Sequence, residues 1–151
     1  MHIRRNVLID CKPKALWRCI TEPELIQQWI TDLVEEIPDD DTKTGLGAQS
    51  TVRIREGGRI VSYRCIVIEW SSEFRVGVRL SGGSLGPGDV IDVTYEIARG
   101  EDTGTMLHYD LNFPIRRLFL VLLAPFIWFG IQGNLKRDFA LLAELAKSIK
   151  V

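Results

Sequence analysis

From residue 45 to residue 113 the chain keeps returning to one pattern, in which apolar and polar side chains change places at every position. "FRVGVRL" sets Phe74, Val76, Val78 and Leu80 against Arg75, Gly77 and Arg79. "VIDVTYEIA" sets Ile91, Val93, Tyr95 and Ile97 against Asp92, Thr94 and Glu96. "TMLHYDLNF" sets Leu107, Tyr109, Leu111 and Phe113 against Met106, His108, Asp110 and Asn112. A period of two is that of a strand with one wet face and one covered face. Before these runs, "GLGAQSTVRIRE" reads as a turn leading into a strand, and Gly57-Gly58 reads as a hairpin turn into "RIVSYRCIVIEW". Ser71-Ser72 marks the next turn, and "SGGSLGPGD" a long flexible loop. Consecutive hairpins of this kind make an antiparallel sheet, and its dry face needs a cover.

The cover is at the C-terminus. In "NLKRDFALLAELAKSI", Leu135, Phe139, Leu142, Ala146 and Ile149 fall on one helical stripe. A single helix from 115 to 149 would be about 50 Å long, so Pro125 is expected to divide it into a short helix near 115–123 and a main helix from about 126 to 149.

At the N-terminus, residues 2–10 alternate with Ile3, Val7 and Ile9 on the dry side and Arg4 and Asn6 on the wet one. The stretch "WRCITEPELIQQWI" then carries two stripes, Leu16-Trp17-Ile20 and Leu25-Ile26-Trp29, on either side of a Thr-Glu-Pro break. Thr21 is expected to cap the second helix, with Pro23 in its first turn and Glu24 completing a capping box. Two short helices meeting at a corner follow, each anchored by a tryptophan.

A chain of 151 residues with 46% apolar and 26% charged residues is expected to be one globular domain over 1–151. A net charge of −1 provides no basic excess for nucleic acid. Cys11, Cys19 and Cys65 lack metal-type spacing and read as small buried hydrophobes. No signal-like apolar core follows Met1, so a reducing cytoplasm is the expected compartment. Residues 118–131, "LFLVLLAPFIWFGI", are apolar throughout, but as helix they would reach about 21 Å against the roughly 30 Å of a bilayer core. They are expected to be buried in protein, in a second copy giving a homodimer, or in a lipid interface as a peripheral contact.

Candidate chemistry is sparse. His108 falls on the wet side of its strand, whereas Tyr95 and Tyr109 fall on the dry side, where a phenol needs a hydrogen-bond partner or a ligand. Tyr63 is the remaining acid-base candidate. "PDDDTKTG" lacks the spacing of a calcium loop, and "GGSLGPG" lacks the Lys-Ser/Thr of a phosphate loop and reads as a mobile rim. Two histidines, His2 and His108, support no catalytic triad, and no metal site or cofactor is implied.

In "KALWRCITEPELIQQW", the Gly-Gly and Ser-Ser hairpins and the ending "LKRDFALLAELAKSI", the chain resembles the START/Bet v 1-like (SRPBCC) superfamily, nearest to its polyketide cyclase/dehydrase and lipid-transport branch. The resemblance implies an α+β helix-grip fold: a first strand, two short helices, a curved run of six antiparallel strands and a long C-terminal helix across the sheet. It also implies an apolar cavity between sheet and helix. The residues expected to line it are Trp29, Phe74, Val78, Val93, Tyr95, Leu107, Tyr109, Phe113, Phe126 and Phe129. A small hydrophobic or aromatic ligand, lipid- or polyketide-like, is the first functional expectation. The rivals are a cofactor-free cyclase, aromatase or dehydratase with Tyr95 or Tyr109 as proton donor, and an interaction module using 118–131. A buried carboxylate or histidine facing the cavity would favour the enzyme.

Overall fold

The computed structural model describes residues 1–100, 102–113 and 118–151, with side chains described for the same residues except 118–132. In chain order it forms β1 (His2–Ile9), α1 (Pro13–Thr21), α2 (Pro23–Trp29), β2 (Leu33–Pro38), β3 (Gln49–Glu56), β4 (Arg59–Ser71), β5 (Arg75–Gly82), β6 (Val90–Arg99), β7 (Thr105–Asn112) and α3 (Leu118–Ser148). The strands make one seven-stranded sheet in the order β1-β7-β6-β5-β4-β3-β2, every neighbouring pair antiparallel. This is the helix-grip architecture.

The alternation of β5, β6 and β7 sorts as read. Val76, Val93, Ile97, Leu107 and Tyr109 are buried on the concave face. The convex face is laced by cross-strand ion pairs, among them Arg79 with Asp92 at 2.8 Å and Arg75 with Glu96 at 2.6 Å. The stripe on α3 also holds, since Phe139, Leu142 and Ala146 are buried against that core and Leu135 and Ile149 pack beside it.

Three local expectations are corrected. α3 continues as one helix through Pro125. A proline forfeits one N–H and crowds one carbonyl, which a long helix can absorb without stopping. Thr21 does not cap α2. It stays in the last turn of α1, where its hydroxyl donates to the carbonyl of Trp17 at 2.7 Å, and Glu22 takes the cap position without a side-chain bond. The 82–88 loop is also no part of a rim. Gly83, at φ +55°, lies against the Tyr63 ring, Ser84 Oγ donates to Glu56 at 2.7 Å, and Leu85 packs on the Val52–Tyr63 cluster.

Two β-bulges shape the far half of the sheet. The β2–β3 register shifts between Leu33 and Glu35, and the β4–β5 register between Val67 and Glu69, so Val34 and Ile68 are extra residues. An extra residue bends its strand and turns the following side chains to the opposite face. Glu36 therefore pairs with Val52, and Trp70 with Val76, which places both on the concave side. Without the bulges both would point to solvent.

Candidate ligand-binding cleft

The concave face is filled where α3 packs on β6 and β7, and among the described residues it is open over β3, β4 and β5. There a cavity of about 710 Å³ is bounded by the α1–α2 corner, the inner faces of these strands and the segment from Pro38 to Ser50. Its apolar wall includes Trp17, Ile20, Ile26, Val67, Trp70 and Val78. Trp17 and Trp70 meet edge to face, their ring centroids 5.0 Å apart. Gly45 turns the chain beside the Trp70 indole at φ +88°, a backbone conformation that favours glycine.

One carboxyl is recessed in this wall. Glu36 Oε1 accepts a hydrogen bond from Ser50 Oγ at 3.1 Å. Burial holds its carboxyl above the usual carboxylate range, Glu24 adds to the effect, and the Ser50 bond opposes it. Cys65 lies beside it, its thiol pushed up to about 11 chiefly by burial and secondarily by Glu36. With the Cys19 thiol also pushed up to about 11, these cysteines are protonated, unreactive packing groups.

The rim is tied down by polar side chains. Asp39 accepts from Arg64 at 3.0 Å, and Asp40 accepts from the N–H and hydroxyl of Thr42. Arg18 and Glu22 form an ion pair at 3.0 Å across one helical turn. No group of three or more metal-ligating side chains occurs among the described residues.

The residues expected to line a cavity fall in four places. Val78 lines the cleft. Trp29, Val93, Leu107 and Tyr109 are buried in the main core, with Tyr95 partly buried beside them. Trp29 donates from Nε1 to the carbonyl of Cys19 at 2.9 Å and stacks on Phe139. Tyr109 meets Phe139 at 5.2 Å and Tyr95 at 5.4 Å, and burial raises both phenols' pKa, which makes them poorer proton donors. Among the described residues neither hydroxyl borders the cleft. Phe113 is half-buried just past β7, where its N–H donates to the Met1 carbonyl.

Phe74 corrects an expectation. It is 47% exposed, because β5 begins at Arg75 and Phe74 belongs to the turn, after Glu73 at φ 61°. The side chains of Phe126 and Phe129, and the proposed docking face 118–131, lie outside the described residues. Among the described residues no helix is long and apolar enough to cross a membrane.

Glu36, Ser50 and Trp70 escape a reading by period alone, whereas Trp17 falls on its predicted helix stripe but borders the cleft as well as the core. For Glu36 and Trp70 the cause is the bulge. A weaker signal existed in Ser50, a small polar residue on the dry side of an otherwise alternating strand.

Solved structures share this fold. TTHA0849 from Thermus thermophilus superposes with a TM-score of 0.79 at 18% identity, each chain covered over 98% of its length. Ara h 8.0201 does so at 0.74 and 12%, over 99% of both chains. Norcoclaurine synthase from Thalictrum flavum, solved in complex with dopamine and hydroxybenzaldehyde, gives 0.72 and 14%, over 100% of this chain and 88% of that one. A search of curated protein sequences finds no match. Residues 1–147 match the model of a family described as polyketide cyclase/dehydrase and lipid transport, and it is to this family that the chain belongs.

Proposed function

We propose that this protein binds a small, mostly apolar ligand in the cleft between the α1–α2 corner and strands β3 to β5. The observation that carries this is the cavity itself. Its volume of about 710 Å³ suits a small organic molecule, and its inner wall is apolar, with Glu36 and Ser50 set into it beneath a polar and charged rim. Family membership supports the same reading. Two indoles supply flat apolar surface, and Ser50 and Glu36 supply direction.

Native mass spectrometry of protein isolated from its own host would detect a retained ligand. In parallel, Val78→Trp should fill the cleft and abolish binding of a naphthalene probe while the fold persists. A Val78→Trp protein that binds the probe as the wild type does would place the site elsewhere.

A cyclase- or dehydratase-type enzyme is a second reading, and Glu36 is the observation that favours it. A carboxyl that burial holds above its ordinary range, recessed in a cleft, is a better proton donor than an exposed one would be. Under that reading Glu36→Gln eliminates turnover of a reactive polyketide-like substrate while the substrate still binds. A Glu36→Gln protein with full turnover would leave the cleft as a binding site alone.

A further inference from the structure

The ionisable groups of the cleft are unevenly matched. Arg18 and Glu22 neutralise one another. Asp40 on the rim is held low chiefly by the hydroxyl and N–H of Thr42, with a smaller contribution from the nearby Lys43. Glu24 on α2, Glu36 on β2 and Asp41 on the rim line the same space, and among the described residues none of the three has a cationic partner.

Glu36 is the recessed one. Its Oε1 is engaged by Ser50, while no described residue donates to its Oε2. Around it stand the Ser50 hydroxyl on β3, the Cys65 thiol on β4 and the Glu24 carboxylate on α2. None of these is a cation. A partly buried carboxylate without a counter-charge is disfavoured, and a charged donor from outside relieves that cost. The bulge at Val34 is the device that turns Glu36 inward, although an outward glutamate would meet no such penalty.

We infer that the ligand of this cleft is an amphiphilic amine, its apolar body against Trp17 and Trp70 and its ammonium group on the carboxylate of Glu36. This rests on the cleft being the ligand site and adds the charge and polarity of the ligand. An ammonium head offers the N–H donors that Oε2 lacks and forms a charge-assisted bond. The two indole faces tolerate a neighbouring positive charge, because aromatic faces attract cations. A carboxylate-headed ligand would instead meet three unneutralised acids, and a fatty acid is therefore excluded.

A matched set of probes tests this: 2-(1-naphthyl)ethylamine, 2-(1-naphthyl)ethanol and 1-naphthylacetate, titrated against the full chain by tryptophan quenching. The amine should bind about tenfold or more tightly than the alcohol, as a buried charge-assisted hydrogen bond allows, and the acetate most weakly. Glu36→Gln should bring the amine to within about threefold of the alcohol. Amine affinity in the wild type should fall as pH is lowered through the Glu36 titration, because protonation removes the counter-charge, whereas the alcohol's should not. This pH series reads the same carboxyl without mutation, so it decides the matter even if the Gln protein fails to fold. Equal binding of amine and alcohol, or an amine affinity independent of both Glu36 and pH, overturns the amine assignment but leaves the apolar cleft standing. Failure of all three probes to bind overturns both.

Discussion

Trp29→Ala probes the corner that holds the cleft open. The indole is 2% exposed, wedged between Phe139 at 6.3 Å and Tyr95 at 6.2 Å, and bonded to the Cys19 carbonyl at 2.9 Å. It thereby ties α2 to α1, to the sheet and to α3 at once. Truncating a buried Trp costs about 3 to 5 kcal/mol through lost transfer energy and the remaining cavity. The Cys19 carbonyl would also lose a donor, adding about 1 kcal/mol. Against a usual total of about 5 to 15 kcal/mol, the variant should stand near the edge of folding. Trp29→Phe separates the contributions. It keeps most of the ring contact but not the hydrogen bond, and should cost about half as much or less. Urea denaturation followed by circular dichroism measures both. Unchanged midpoints for Trp29→Ala, or equal losses for Ala and Phe, would refute the packing argument.

Other outcomes follow from named contacts. Burial holds the folded Glu36 carboxyl above its unfolded value, so the native state binds that proton more tightly and ionisation costs stability as pH rises past the ordinary carboxylate value of about 4.3. Glu36→Gln should therefore gain stability relative to wild type as denaturation is repeated from about pH 4 to pH 8; a constant difference would contradict it. Gly83→Ala would drive a Cβ to 2.5 Å from the Tyr63 ring at φ +55°, and should cost about 1 to 3 kcal/mol in thermal or urea unfolding. In a Tyr63→Ala background the steric part disappears and only the backbone part, about 1 kcal/mol, should remain in a double-mutant cycle.

How much of this was legible beforehand depended on regularity. β5, β6 and β7 keep a strict period of two, and their buried residues could be named from the sequence because nothing interrupts the count. The stripe on α3 was equally readable. The two tryptophan-anchored helices were located, yet their junction was misread, since the Thr21 hydroxyl donates to the Trp17 carbonyl within α1 instead of accepting from an N–H of α2. Phe74 continued the alternation on paper but fell in the turn. The cleft was the least legible part. Family resemblance put it against Tyr95 and Tyr109, where aromatic side chains instead pack against one another. Its polar pair comes from β2, where a bulge breaks the period before Glu36, and from Ser50 at the start of β3.

The bulge at Val34 has one more consequence. Facing in a strand takes only two values, so a single extra residue acts as a parity bit for everything that follows it up to the next turn. Val34 is that residue: because it sits unpaired, Glu36 falls opposite Val52 and faces the cleft, whereas regular pairing of Val34 with Arg53 would set Glu36 opposite Thr51, send it to the solvent and leave Ser50 without its partner. Deleting Val34 would only restore an unbroken ladder, with Glu36 still opposite Val52. The character of the cleft is thus encoded partly in register, as a count rather than an identity.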